Sequence, residues 1–240
     1  MTKNDIQFIR SLHDKSGRTE HNLFVAEGAK LISEIQNSGF TIRNIYTTSN
    51  SFEGAEHVST KEIERISTLK SANNSIAVVE IPHYELNINS LQGNLVLALD
   101  EVQNPGNLGT IIRLADWFGI HDIVCSPTSA DLYNPKVVQA TMGAITRVRV
   151  HYTPLVPFLE GCNMTIYGTL LSGENIYSHP LQSSGVIVMG NEGRGLSPEV
   201  QTLVTEALYI PPFPADGSSS ESLNVAIATA IVCSEFRRPR

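Results

Sequence analysis

Apolar runs separated by helix-length polar intervals divide the chain into two series. In residues 1 to about 81, a polar N-terminal helix precedes the strand Leu23-Phe24-Val25-Ala26 and a helix from about Glu27 to Asn37. A strand from Ile42 to Thr47, a helix near Thr60 to Leu69 and a strand from Ile76 to Ile81 complete a small α/β unit. Residues 82–93 open on Pro82, show no clean period and read as a linker. From 94 to 240 the strand-like runs are Leu95 to Leu99, Asp122 to Cys125, Val148 to Tyr152, Thr165 to Leu170, Val186 to Met189 and Ala207 to Ile210. Helix-length segments separate them. That alternation predicts an α/β domain with a mostly parallel sheet, helices on both faces, and a ligand crevice at the carboxyl ends of the strands.

Composition narrows the class of protein. With 41% hydrophobic and 17% charged residues the chain is neither disordered nor fibrous. A formal charge of −7 argues against a strongly basic, nonspecific nucleic-acid binder, because such proteins draw affinity from neutralising phosphates. Any RNA role must use local patches. Lys3, Arg10, Lys15 and Arg18 near the start and Arg237, Arg238 and Arg240 at the end are candidates, with a solvated helix face and a basic tail as the alternative. Cys125, Cys162 and Cys233 form no Cys-x-x-Cys pair and stand in apolar surroundings, as buried free thiols do; neither disulfide nor zinc is expected. The start lacks the apolar run of a signal peptide, and no eighteen apolar residues follow one another, so a cytoplasmic location is expected.

Three segments carry candidate chemistry. The first, Leu99 to Arg113, runs from a strand through the turn Asn104-Pro105-Gly106-Asn107 into a helix that Asn107 would cap and Gly119 would stop. Capping does not account for Arg113, mid-helix among apolar neighbours, which must pair or face a polar cleft. An ion pair with Asp116, three residues on, is the purely structural alternative. The second segment follows the strand Val186 to Met189 with Gly190-Asn191-Glu192-Gly193-Arg194-Gly195, then a helix capped by Ser197 with Pro198 in its first turn. Its glycine order is not that of a dinucleotide-binding turn, and no Lys-Ser or Lys-Thr follows as a phosphate loop needs, which counts against an NAD-dependent oxidoreductase. In the third, the strand ending at Ile210 leads through Pro211-Pro212-Phe213-Pro214 and the run Ser218-Ser219-Ser220 to a strongly apolar helix. Ser222 reads as its cap, and Asn224 in its first turn needs a specific partner.

Together and in this order, Asn-Pro-Gly-Asn-Leu-Gly followed by Arg113, then Gly-Asn-Glu-Gly-Arg-Gly, then Glu-Ser-Leu-Asn-Val resemble the three signature motifs of the SpoU/TrmH family of RNA ribose 2′-O-methyltransferases, part of the SPOUT superfamily. The resemblance covers residues 94–238. It implies a C-terminal trefoil knot, a fold that periodicity alone could not suggest. It also implies a bent S-adenosylmethionine held by backbone groups at Leu170, Gly190, Ile210 and Leu223. Asn107, Arg113, Glu192, Ser222 and Asn224 become the catalytic set. Arg113 leads it as the group that helps deprotonate or polarise a ribose hydroxyl in tRNA or rRNA, more safely described as stabilising a developing alkoxide. No metal is implied, and a homodimer is. The first unit resembles the ribosomal-protein-like domain that binds substrate RNA in such enzymes, through Phe24-Val25-Ala26-Glu27-Gly28. A non-catalytic RNA-binding factor of the same fold is the alternative. Two departures from the family pattern stand out: the long proline- and serine-bearing loop from Ile210 to Leu223, and Ala226 where relatives often carry serine.

Overall fold

A computed structural model describes residues 1–213 and 222–239. In chain order they form α1 (Lys3–Ser11), α2 (Lys15–His21), β1 (Leu23–Glu27), α3 (Ala29–Gln36), β2 (Ile42–Thr47), β3 (Glu56–His57), α4 (Thr60–Ile66) and β4 (Ser75–Glu80). Then come α5 (Ile88–Leu91), β5 (Leu95–Leu99), α6 (Pro105–Trp117), β6 (Asp122–Cys125), α7 (Pro135–Thr141), β7 (Arg149–Tyr152) and α8 (Leu155–Gly161). The last elements are β8 (Ile166–Asn175), β9 (Gly185–Met189), α9 (Pro198–Gln201), β10 (Glu206–Tyr209) and α10 (Val225–Arg237). The chain clusters into two compact units, Met1–His83 with Asp131–Arg147, and Tyr84–Ala130 with Val148–Arg240.

In the first unit four strands lie in the order β1-β4-β2-β3, with β4 antiparallel to both β1 and β2. The polar start is two helices rather than one. Capping boxes fix the starts of α1 and α4: the hydroxyls of Thr2 and Ser59 accept the N–H groups of Asp5 and Glu62, whose carboxylates bind back. Ile9, Leu12, Leu23, Val25, Ile63, Ile66 and Ile76 share one core. The segment Asp131–Arg147 also belongs here, an excursion from the middle of the chain that a division at a single linker does not anticipate. It is held by Tyr133 against Phe24, with ring centroids 4.8 Å apart, by an ion pair from Arg147 to Glu34 at 2.7 Å, and by Arg18. Arg18 is only 3% exposed; its guanidinium donates to the carbonyls of Leu12 and His13 and, at 2.8 Å, to the carboxylate of Asp131. The expectation that Arg18 contributes to an RNA-facing patch is therefore corrected: its charge is spent inside the fold.

In the second unit six strands lie in the order β10-β8-β9-β5-β6-β7, and every pairing is parallel. The central strands β5 and β9 are buried along their whole length, which is why they read as unbroken apolar runs without alternation. Helices cover both faces. On one, α8 and α9 pack through Phe158, Leu159 and Val200 against Val96, Ala98 and Val188. On the other, Phe236 of α10 meets the ring of Tyr167 edge-on, centroids 4.8 Å apart. Cys125, Cys162 and Cys233 are buried free thiols. No helix among the described residues is long and apolar enough to cross a membrane.

One strand departs from its expected extent. β8 continues past Leu170 to Asn175, because its pairing with β10 jumps: Gly168 is opposite Ala207, but Glu174 is opposite Leu208. Residues 169–173 bulge out, and Gly173 brings the chain back. A Cβ there would lie 2.6 Å from the carbonyl carbon of Leu208, so only glycine fits. The polar run Ser172-Gly173-Glu174 reads as loop, and its return to the sheet edge leaves no apolar signature. The serine run 218–220 and Arg240 lie outside the described residues.

Because the buried Arg18 guanidinium donates to Asp131 and to two carbonyls inside the first unit, Arg18→Ala should lower unfolding free energy by about 2–4 kcal/mol. Urea titration followed by circular dichroism measures this. A loss under about 0.5 kcal/mol would show the pair to be dispensable.

Candidate active site

The turn after β5 resolves differently from its sequence reading. Asn104, not Asn107, caps α6, its Oδ1 accepting the N–H groups of Gly106 at 2.8 Å and Asn107 at 3.3 Å, with Pro105 in the first turn. This frees the amide of Asn107. Likewise Asn224, not Ser222, caps α10: its Oδ1 accepts Ala226 N–H at 3.0 Å and Ile227 N–H at 3.3 Å, while Ser222 is exposed two residues earlier. In both cases an asparagine nearer to or farther from the apolar run takes the role, a shift that pattern alone does not resolve.

These two asparagines and one carboxylate form a continuous chain. Asn224 Nδ2 donates to Asn107 Oδ1 at 3.0 Å, and Asn107 Nδ2 donates to Glu192 Oε1 at 2.9 Å. Asn104 N–H reaches the same carboxylate oxygen at 3.3 Å. Burial pushes the Glu192 carboxyl up, but the Asn107 amide and backbone N–H groups at Glu192, Asn104 and Gln103 outweigh it and hold it below the usual carboxylate range. Glu192 is an anion at neutral pH.

The loop that carries Glu192 is tied at both ends. Asn191 and Gly195 exchange backbone hydrogen bonds of 2.9 Å, and Gly190 packs so tightly that a Cβ would lie 2.3 Å from the Gly195 carbonyl carbon. Asn191 Oδ1 accepts the N–H groups of Gly193 and Arg194, and its Nδ2 donates to the Glu101 carbonyl at 2.8 Å. Buried Asp100 accepts Ser197 N–H at 2.7 Å. Asp100 and Glu101 were not singled out from the sequence. Two acids ending a buried apolar strand were the available signal.

Arg113 is not part of this chain. It is exposed on α6, forms no ion pair among the described residues and does not engage Asp116. With Gly106, Thr110 and Trp117 it makes an exposed stripe at helical spacing, and Trp117 is 83% exposed. Alongside, α10 runs parallel to α6: Asn224 meets Asn107 at one end, and at the other Arg237 donates to the carbonyls of Phe118 at 2.8 Å and Gly119 at 3.1 Å. Arg237, which the sequence offers to an RNA-facing patch or to a basic tail, thus caps the C-terminus of α6.

Gly190 and Ile210 directly follow the parallel strands β9 and β10, Leu170 lies within β8 where its pairing with β10 breaks, and Leu223 immediately precedes the cap of α10. Gly190 is buried, Leu170 and Ile210 are half-buried, and Leu223 is exposed. Half-buried aliphatic side chains beside a glycine backbone suit a flat, apolar ring recognised through main-chain groups.

A parallel α/β sheet with polar side chains gathered in the turns at its carboxyl edge has the layout of a ligand-binding α/β domain. Residues 94–234 match the SpoU rRNA methylase family and residues 3–84 match an MRM3-like substrate-binding domain. The chain belongs to the SpoU rRNA methylase family. A Bacillus subtilis 23S rRNA (guanosine(2553)-2′-O)-methyltransferase, RlmP, is 29% identical over 95% of this chain and 94% of its own length. A TrmH-family structure from Porphyromonas gingivalis superposes with a TM-score of 0.88 at 39% identity, covering 99% of this chain and 98% of that one. An rRNA methyltransferase from Sinorhizobium meliloti, solved with AdoMet bound, gives 0.85 at 28% identity over 99% and 95%.

The depressed Glu192 ionisation yields a pH signature. Its contribution to stability is present above the unfolded value, near about 4.3, and is lost as pH falls through the lower folded value. Carboxyl carbon NMR should place the Glu192 midpoint below that of a free glutamate and show it rising in Asn107→Ala, where burial remains and the largest opposing donor is gone. A midpoint that does not move would mean that Asn107 does not govern the carboxylate.

Proposed function

We propose that this protein transfers a methyl group from S-adenosylmethionine to a ribose 2′-hydroxyl in tRNA or rRNA. The observation that carries this reading is the Glu192–Asn107–Asn224 chain, which joins three segments distant in sequence, two of them following the neighbouring parallel strands β5 and β9.

S-adenosylmethionine supplies a methyl already activated by its sulfonium, so the remaining task is to align that methyl with the ribose oxygen and stabilise the charge that develops there. The backbone at Leu170, Gly190, Ile210 and Leu223 would hold the donor. Asn107, Glu192, Ser222 and Asn224 would orient the nucleotide, Glu192 as a fixed anion and the asparagines as aligned amides. The Arg113 guanidinium, which offers donors and no acceptor, would stabilise the developing alkoxide electrostatically rather than act as a free base. No residue in this set requires a metal.

Arg113 shares its exposed stripe with Trp117, and Ile227 on the neighbouring α10 is exposed as well. An apolar surface of this kind beside the site favours a second copy of the chain covering it. The homodimer would desolvate Arg113 and complete the pocket. The knotted threading of the C-terminal segment, the division into a substrate-binding region over 1–81, a linker over 82–93 and a catalytic region over 94–240, and a cytoplasmic location belong to the same proposal. Lys3, Arg10 and Lys15, exposed on the first unit, would meet RNA phosphates.

Arg113→Ala should leave folding and S-adenosylmethionine binding nearly intact and lower methyl transfer at least about tenfold, roughly 1.4 kcal/mol of barrier. Unchanged turnover would remove Arg113 from the mechanism. Sedimentation at micromolar concentration should show a dimer; a lone monomer would contradict the proposed interface. The function itself is tested by mapping ribose methylation in RNA from cells with and without the protein. One missing 2′-O-methyl mark is expected, and identical maps would defeat the assignment.

A further inference from the structure

We infer that Glu101 and Arg194 are positioning residues for Glu192, an inference that rests on the proposed catalytic role of that carboxylate. Glu101 follows Asp100 at the end of β5 and takes a left-handed backbone conformation, with φ of 57°, in which a side chain is sterically disfavoured. Glycine would adopt it more easily. The carboxylate that stands there instead has two partners: Oε1 accepts the hydroxyl of Thr128 at 3.3 Å, and Oε2 pairs with the guanidinium of Arg194.

Glu101 therefore holds the chain on both sides of Glu192. Before it, the Glu101 carbonyl accepts Asn191 Nδ2; after it, the Glu101 carboxylate binds Arg194. Glu101 is itself anchored, because its N–H donates to Ser126 Oγ at 2.9 Å. Strand β5 thereby dictates where residues 192–194 lie, and so where the carboxylate meets Asn107. Arg194 is 70% exposed, and an ion pair so open to water adds little to folding stability. Strain retained for an interaction of little stabilising value, wrapped around a site residue, is explained by the site.

The effect on stability separates this role from a purely structural one. Glu101→Gly relieves the backbone strain while removing the carboxylate, so its thermal midpoint should be no lower than that of the parent. Its kcat, measured with the RNA substrate, should fall at least about fivefold, with the RNA KM within about twofold. Arg194→Ala should behave in the same way, and Arg194→Lys, which keeps a cation for Glu101, should recover most of the rate. Unchanged kcat in Glu101→Gly and Arg194→Ala overturns the inference. So does a raised RNA KM at unchanged kcat in Arg194→Ala, which would make Arg194 a direct phosphate contact. Glu192→Gln, measured in parallel, distinguishes the two levels: if it too keeps the full rate, the catalytic role of Glu192 fails; if it alone is slow, only the pairing of Glu101 with Arg194 fails.

Discussion

The site depends on the direction in which one amide points. Because Asn224 Oδ1 must accept two N–H groups at the start of α10, its Nδ2 is turned outward as a donor. Asn107 must then present its oxygen to Asn224 and its nitrogen to Glu192. A helix cap thus sets the polarity of every link, and no member can reverse without leaving another unpaired. The carboxylate at the end of the chain is stabilised as an anion by donors that secondary structure has already aimed.

This arrangement shows how three short segments far apart in sequence come to act on one another. Each belongs to a strand-to-helix or helix-start turn, and Asn107 of the first segment bonds to both Glu192 of the second and Asn224 of the third. The parallel sheet makes the convergence possible, since its strands all deliver their following turns to the same edge. Glycine at 190 and the cross-links from Asp100 and Asn191 then hold the middle segment against the first. The exposed stripe bearing Arg113 and Trp117 lies on the same helix as Asn107 but on another face, so α6 contributes to the hydrogen-bonded chain and to the open surface at once.

Much of the fold was legible in the sequence because burial on both faces writes strands as plain apolar runs: Leu95–Leu99 and Asp122–Cys125 were read to the residue. What was missed follows from contacts that periodicity does not encode. The return of β8 after its bulge depends on a backbone approach at Gly173, and the placement of Asp131–Arg147 in the first unit depends on Arg18 and Tyr133 meeting residues far away in sequence. Of the five residues carried over as catalytic, Asn107, Glu192 and Asn224 are brought into direct contact; Ser222 is nearby in sequence but exposed, and Arg113 faces outward. Both caps were misassigned by two or three positions, since several asparagines and serines in each turn satisfy the same local preference and only their distant partners decide among them.

The central claim is that the three segments act as one hydrogen-bonded unit in methyl transfer, and Asn224→Asp tests it most directly. Aspartate still caps α10, so the fold should persist, but it has no donor for Asn107. If Asn107 turns to serve the new carboxylate, its oxygen faces Glu192. Single-turnover transfer to RNA by this variant, with folding checked by circular dichroism, should be at least about tenfold slower than by the parent. A variant that is folded and as fast as the parent would contradict the account.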